Sequence, residues 1–320
     1  MPRKKDRSNR GNTYGVGVDR VELRCASSGS SRAPFSSERD RNPLSPVKVL
    51  LSIAGSDPSG CSGIAADIKV AQALGFHLSF AITSITVQNS AAVLMATPVT
   101  GQQLLGQLKA ISAQFPLAAV KIGMVASAEI AEVIADWLGT QPRMPVVYDP
   151  VLRASSGGWL YDSTSCEILS KKLLPCCDLI TPNFFEAAFL LETPIDQVRE
   201  NTAQAGRALL QLMKGSTDEE NSGRAVLITG GDEEGALVRD YLFYDGMFAE
   251  VTGQKVFTEN TRGTGCALST AIACHLVSTS DVLLAVTQSR RYVEETLMNS
   301  RINNISTIGA GPLLHQKIVN

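Results

Sequence analysis

From residue 47 onward, short apolar runs alternate with helical patterns of apolar positions, and this pattern predicts most of the elements. Residues 47–54 (Val-Lys-Val-Leu-Leu-Ser-Ile-Ala) read as a buried strand ending at Gly55. Residues 63–74 then read as a helix, with Gly75 as its stop. Further strands are expected over 80–87, 118–122, 146–149, 178–181 and 225–229. Helices are expected over 102–113, 128–138, 165–174, 184–191 and 196–214, with Gly139 and Pro175 as stops. Residues 237–244 and 248–251 flank Asp245-Gly246, a hairpin turn signal, and read as an antiparallel pair near a sheet edge. Two helices, about 266–277 and 281–299, close the pattern. Regular strand–helix alternation predicts an α/β fold, with parallel strands covered by helices on both faces.

Residues 1–45 break this pattern. They hold ten Lys/Arg against five Asp/Glu, with Ser and Gly between and few apolar residues. Such a segment cannot bury enough surface to offset its ordering entropy, and a disordered tail is expected. It has no apolar signal-peptide region. Its Arg and Ser content suits an organelle transit peptide, while its acids argue against one; a cytoplasmic location is the expectation. The whole chain has 320 residues, 44% of them apolar, enough for a large core. A net charge of −2 gives no basic field for nucleic acid, and no apolar run reaches the roughly 18 residues that span a bilayer. Seven scattered cysteines without a C-x-x-C pair suit a reducing compartment, and three isolated histidines lack metal-ligand spacing. The acidic stretch at 218–220 reads as a solvated loop.

Candidate chemistry sits where strands end, since ligands of open α/β sheets bind beyond the carboxyl ends of their strands. Asn260-Thr261-Arg262-Gly263-Thr264-Gly265-Cys266 opens an apolar helix. Its backbone N–H groups and helix dipole can face an anion, and Cys266 at the helix start is expected to have a lowered pKa. Otherwise it is a Gly-rich turn with a buried cysteine. The first strand runs into Gly55-Ser56-Asp57-Pro58-Ser59-Gly60, small residues that let a ligand approach the backbone. Asp67, one turn into the next helix, can face the same crevice or serve as a helix-dipole carboxylate. Gln88 can read a heteroaromatic edge carrying an amine and a ring nitrogen, or be a loop amide. Met124 can pack on a flat ring or in the core. Asp149 ends another strand. Asn183 and Glu186 either hold the water shell of Mg²⁺ or form an N-cap and capping box. Phosphoryl transfer needs positioned phosphates, a metal, neutralised charge and a base, and each has a candidate here.

With Ala54-Gly55-Ser56-Asp57-Pro58-Ser59-Gly60, Gly63-Ile64-Ala65-Ala66-Asp67, Val87-Gln88-Asn89, Lys121-Ile122-Gly123-Met124, Thr181-Pro182-Asn183, Glu186 and Asn260 to Cys266 in this order, the chain resembles the hydroxymethylpyrimidine/phosphomethylpyrimidine kinases of thiamin biosynthesis, in the ribokinase-like superfamily. The resemblance covers about residues 47–315. It implies a three-layer α/β/α fold, a kinase domain over 46–320, a homodimer, and ATP- and Mg²⁺-dependent phosphorylation of 4-amino-5-hydroxymethyl-2-methylpyrimidine and then of its monophosphate. By matching positions, Cys266 would be the base, with Gly263, Thr264 and Gly265 as the anion hole. Gln88 and Asp67 would bind the aminopyrimidine in a pocket lined by Gly55, Met124 and Val151. Asn183, Glu186, Asp149 and Thr229 would serve the ATP region, with Mg²⁺ held through waters near Glu186 and Asp149.

The chain departs from the family pattern at Cys61 (usually Gly), Ala65 (usually Gln), Thr229 (usually Lys, near the ATP phosphates) and Arg262 (often His). Either ATP handling is weakened, or Arg262 supplies the charge missing at Thr229. The rival readings are a pyridoxal or pyridoxine kinase and a non-catalytic pyrimidine-binding relative. A cysteine hydrolase finds no histidine placed to pair with Cys266.

Overall fold

The computed structural model describes residues 21–23, 46–153, 166–214, 223–301 and 306–315. The strands are β1 (Val21–Leu23), β2 (Val49–Ala54), β3 (His77–Ile82), β4 (Ser84–Gln88), β5 (Val93–Pro98), β6 (Leu117–Ile122), β7 (Val146–Tyr148), β8 (Leu179–Ile180), β9 (Ala225–Ile228), β10 (Leu237–Tyr244) and β11 (Met247–Gln254). The helices are α1 (Gly63–Ala73), α2 (Gly101–Gln114), α3 (Ala128–Leu138), α4 (Cys166–Ile168), α5 (Phe184–Leu190), α6 (Ile195–Glu200), α7 (Thr202–Met213), α8 (Thr264–Thr279) and α9 (Val282–Ser300). Nine strands form one sheet in the order β1-β11-β10-β9-β8-β7-β6-β2-β3, and β4-β5 form a separate pair. From β3 to β9 neighbouring strands run parallel; β9, β10, β11 and β1 are antiparallel.

Helices cover both faces, as a parallel sheet requires. One core packs α2, α3, α5 and α7 against the sheet through Leu104, Ile134, Ala187 and Leu209. The other packs α1, α8 and α9 through Val70, Ile272 and Val293. All six residues of β2 are buried, which is why the strand is apolar except at Ser52, whose hydroxyl donates to Asp67. Local signals set the helix starts: Thr100 and Gln103 form a capping box on α2, and Ser127 caps α3. The parallel strands all point their carboxyl ends to one rim, where the cleft lies.

Four expected elements come out differently. The single strand over 80–87 divides at Thr83. The Thr83 N–H donates to the Ala54 carbonyl (3.0 Å), its hydroxyl donates to the Met124 carbonyl (2.7 Å), and its own carbonyl accepts from Val99 N–H (3.0 Å). These bonds turn the chain out of the main sheet, and β4 pairs instead with β5. The helix over 196–214 is α6 and α7, broken at Asn201 with φ −124° and ψ 45°. The helix over 165–174 is only one turn of α4, which continues as a π turn at Leu169–Leu173 and a 3-10 turn at Leu174–Cys176. The second hairpin strand is longer than 248–251, spanning all of β11. Apart from β1, which pairs with the outer side of β11, the expected disordered tail lies outside the described residues, as does the loop at 218–220. Among the described residues no helix is long and apolar enough to cross a membrane.

Candidate active site

The carboxyl ends of the parallel strands, the β4-β5 hairpin and the start of α8 enclose a cleft of about 790 Å³. Gly55, Gln88, Met124, Asp149, Val151, Asn183, Glu186, Thr229, Gly263, Thr264, Gly265 and Cys266 all line it. Asp67, expected beside Gln88 in the acceptor pocket, does not.

Two helix N-termini meet at the cleft floor. α8 is capped by Gly263 in the left-handed region (φ 87°), where an added Cβ would come 2.0 Å from the Cys61 carbonyl oxygen. α1 opens at Gly63 (φ 55°), where a Cβ would sit 2.3 Å from the Gly55 carbonyl oxygen. Only glycine permits these approaches. Asp57 holds the intervening turn by accepting from the N–H and hydroxyl groups of Ser59 and Ser62 at 2.6–2.9 Å. Burial works against that carboxylate, but the four bonds hold its pKa below the usual value. At Gly55 an added Cβ would meet the Met124 sulfur at 2.9 Å, so the thioether lies directly over the strand end.

Cys266 sits in the first turn of α8, half-buried, with the Gly63 N–H directed at its sulfur. The expected lowering of its pKa is not found. Burial pushes the thiol up to about 12, and the nearby Asp149 and Asp67 carboxylates add to this. Lys121 and the Gly63 N–H pull the other way without winning. The helix-terminus rule considers one helix; here the surrounding protein and two carboxylates outweigh it.

Asp67 lies beneath the floor, wholly inaccessible. Ser52 and Thr270 donate to its two oxygens at 2.6 and 2.7 Å, and Lys121 Nζ donates to both, at 3.0 and 3.1 Å. A direct substrate contact does not fit a carboxylate so enclosed, nor does a surface helix-dipole role. Burial alone would lower the Lys121 pKa, but the carboxylate against it raises it and the ammonium stays charged. The side chain of Lys121 also reaches the cleft lining from below. The sequence reading missed this role, although it had singled out the Lys121-Ile122-Gly123-Met124 segment. The available signal was a lysine inside an otherwise apolar strand.

Asp149 extends from β7 toward the same helix start: its Oδ2 accepts from Ser269 (3.1 Å), and a Cβ on Gly265 would lie 3.7 Å from it. Burial raises its pKa despite Lys121 and Ser269. Asn183 and Glu186 form the capping box of α5, the Asn183 side chain accepting from Glu186 N–H (2.8 Å) and the Glu186 carboxylate from Asn183 N–H (2.9 Å). Both still face the cleft. Burial, and next the Asp149 charge, push the Glu186 pKa well above its usual range.

Thr229 pairs with Asn183 in an isolated parallel bridge at the β8–β9 end of the cleft. Arg262 lines the same cleft, but its side chain is engaged elsewhere. Its Nη2 donates to Gln88 Oε1 (3.2 Å) in the β4-β5 hairpin, the lid of the cleft's other end. Cations facing the cleft on the Thr229 side include Lys255, whose Nζ donates to the Glu233 carbonyl (2.6 Å), Arg290, 3.6 Å from Asp240, and Arg153, which lies over the Phe185 ring. None of them stands out in the sequence, because each is an isolated cation outside the motif segments.

The cleft therefore has a small-residue floor with two helix N-termini, a thiol at its centre, two buried carboxylates on one wall and the Gln88 amide on the β4-β5 hairpin. That set of groups suits a phosphoryl donor at one end and a flat polar acceptor at the other. Comparison with known proteins agrees. Residues 57–311 match the family model described as phosphomethylpyrimidine kinase. The chain is 34% identical over 277 residues to a hydroxymethylpyrimidine/phosphomethylpyrimidine kinase of Haemophilus influenzae, covering 85% of this chain and 98% of that one. It is 35% identical over 270 residues to a chloroplastic thiamine biosynthetic bifunctional enzyme of Arabidopsis thaliana, of which it spans 50%. A pyridoxal kinase of Bacillus subtilis, solved as its ADP complex, superposes with a TM-score of 0.74 at 25% identity, covering 84% of this chain and 98% of that one. By the extent of these matches and the glycine–cysteine geometry behind them, the chain belongs to the phosphomethylpyrimidine kinase family, on a ribokinase-like fold.

Proposed function

We propose that this chain transfers the γ-phosphoryl group of ATP to the hydroxymethyl oxygen of 4-amino-5-hydroxymethyl-2-methylpyrimidine, and then phosphorylates the monophosphate, with residues 46–320 as the kinase domain. The observation that carries this reading is Cys266 in the first turn of α8, beside the N–H groups that follow Gly263. The acceptor lies at the lid end, its ring against Met124 and Val151 and its edge on Gln88. The nucleotide lies toward β9–β11. In each step the acceptor oxygen bonds to the γ-phosphorus, the bond from that phosphorus to the β,γ-bridging oxygen breaks, and ADP leaves. In the first step the hydroxyl proton passes to the Cys266 thiolate, formed once the thiol has given its own proton to solvent; in the second step the acceptor is an ionised phosphate oxygen, and no proton need move. In the free cleft the sulfur holds its own proton, so Lys121 and the Gly63 N–H matter as the groups that favour its loss. The Gly265 N–H receives the charge building on the transferred phosphoryl oxygens, joined by that of Thr264 if it leaves the Thr261 carbonyl (3.4 Å).

Asp149 and Glu186 suit Mg²⁺. They are hard oxygen donors, and among the described residues no cluster of three or more His, Cys, Asp or Glu could cage a metal. Mg²⁺ typically uses one or two carboxylates together with water and substrate phosphates. When bound, it neutralises phosphate charge. We further propose a homodimer seated on the outer face of β4-β5, where Ile85, Val87, Leu94 and Met95 are exposed. A cytoplasmic location is our reading, with organelle import through residues 1–45 as the alternative that the chloroplastic relative supports.

The test offers the full chain Mg-ATP with the pyrimidine, its monophosphate or pyridoxal, and identifies the products. Mono- and diphosphate from the pyrimidine are expected. The similarity to a pyridoxal kinase favours one other reading, and phosphate transfer to pyridoxal alone would establish it.

A further inference from the structure

Arg262 is a cation buried in the cleft wall with no carboxylate partner among the described residues. Only 4% of it is exposed. Its backbone is tied down by the C-terminal segment: its N–H donates to the Gly311 carbonyl (3.0 Å), and it forms a bridge with Pro312. Its side chain reaches the end of β4, where Nη2 donates to Gln88 Oε1 at 3.2 Å. Its Nε is buried without a hydrogen-bond partner among the described residues. Burial of such a group needs a reason, and the contact with Gln88 provides one.

A guanidinium offers donors only. The amide oxygen of Gln88 must therefore face it, and the amide NH₂ is turned to the other side. That NH₂ has no partner among the described residues, and Gln88 lines the cleft. We infer that Arg262 is a specificity-determining positioning residue, which pins the Gln88 amide so that it presents an N–H donor to a ring nitrogen and its remaining oxygen lone pair to an adjacent ring amine. The inference rests on the proposed role of Gln88 as the residue that reads the acceptor ring. An unpinned amide could rotate and set its oxygen against the lone pair of a ring nitrogen. Pinning removes that state and its entropy cost. The charge-assisted contact also polarises the amide and strengthens its N–H as a donor. An acceptor without an amine beside a ring nitrogen next to its hydroxymethyl group, such as pyridoxal, gains nothing from this arrangement.

The test compares kcat and KM for the pyrimidine, pyridoxal and ATP in the wild type, Arg262→Met, Arg262→Lys, Gln88→Met and the Arg262→Met/Gln88→Met double variant. Losing one positioned hydrogen bond should raise the pyrimidine KM of Arg262→Met about tenfold, with kcat within about threefold and the ATP and pyridoxal KM values unchanged. Arg262→Lys keeps a donor and should recover most of the loss. The double variant should be no worse than Gln88→Met, because the two residues act through one contact. Multiplied losses, an equal rise for pyridoxal, or a rise in the ATP KM alone would overturn the inference. Should Arg262→Met fail to fold, Arg262→Gln decides. Its amide can turn either edge to Gln88 and so no longer fixes which edge Gln88 turns to the ring; an unchanged pyrimidine KM contradicts the inference, and a severalfold or larger rise with the pyridoxal KM unaffected supports it. A wild-type chain that does not phosphorylate the pyrimidine would remove the proposed function and this inference together. Wild-type turnover with Arg262→Met unaffected would remove only the inference.

Discussion

At Cys266 the local and the long-range environment pull in opposite directions, and this conflict makes a prediction about pH. Alkylation requires the thiolate. With the thiol pushed up to about 12, little thiolate exists at neutral pH, and the rate of Cys266 modification by iodoacetamide should still be climbing at pH 10. Asp149 raises that pKa by its charge, so Asp149→Asn should move the profile to lower pH. A profile that levels near pH 8 in the wild type would show that the helix terminus dominates after all. Asp67 and Lys121 make a second residue-scale prediction. Lys121→Met would leave Asp67 buried and unpaired, a loss of about 3–5 kcal/mol in unfolding free energy measured by denaturant titration. The sequence marked both residues but could not join them: the partners come from α1 and β6, 54 positions apart. Helical spacing showed which way Asp67 points without showing what covers it.

At the scale of elements, the turn before α8 is the part most tightly specified by steric limits. A Cβ at Gly263 would collide with backbone and would also occupy the left-handed region. Gly263→Ala should therefore reduce kcat/KM by at least about a hundredfold, the cost of displacing oxyanion donors, while thermal unfolding shows that the sheet survives. Wild-type turnover in that variant would mean the turn is not the phosphoryl site. This element was legible because glycine, helix start and cysteine are contiguous. The lid hairpin was not. In β4 the alternation is inverted, with Ser84 and Thr86 buried and Ile85 and Val87 exposed, and β5 shows no buried face at all. A pattern method keyed to apolar burial reads β4 as the continuation of β3 and overlooks β5. The turn at Thr83 is made by hydrogen bonds to Ala54, Met124 and Val99, three distant backbone positions that local sequence does not announce.

At the scale of the molecule, the parallel sheet is what turns separate motifs into one cleft. Buried strands β2, β6, β7 and β9 are plain in the sequence as short apolar runs, and the polar residues that follow them converge because parallel strands end at a common rim. Most of the site was therefore visible as a list of strand ends. The opposition of its two ends was not: Arg262 belongs to the Gln88 side, while Lys255 and Arg290 face the Thr229 side, and only the strand order separates them. The central claim joins this architecture to one reaction carried by one sulfur. The most direct test is phosphoryl transfer from Mg-ATP to hydroxymethylpyrimidine by the full chain, wild type against Cys266→Ala, with ATP binding measured in both. The account requires turnover in the wild type and a loss of about 10²–10⁴-fold in kcat in the variant, the range for a positioned base, with ATP affinity retained. Equal turnover by the two proteins would contradict it.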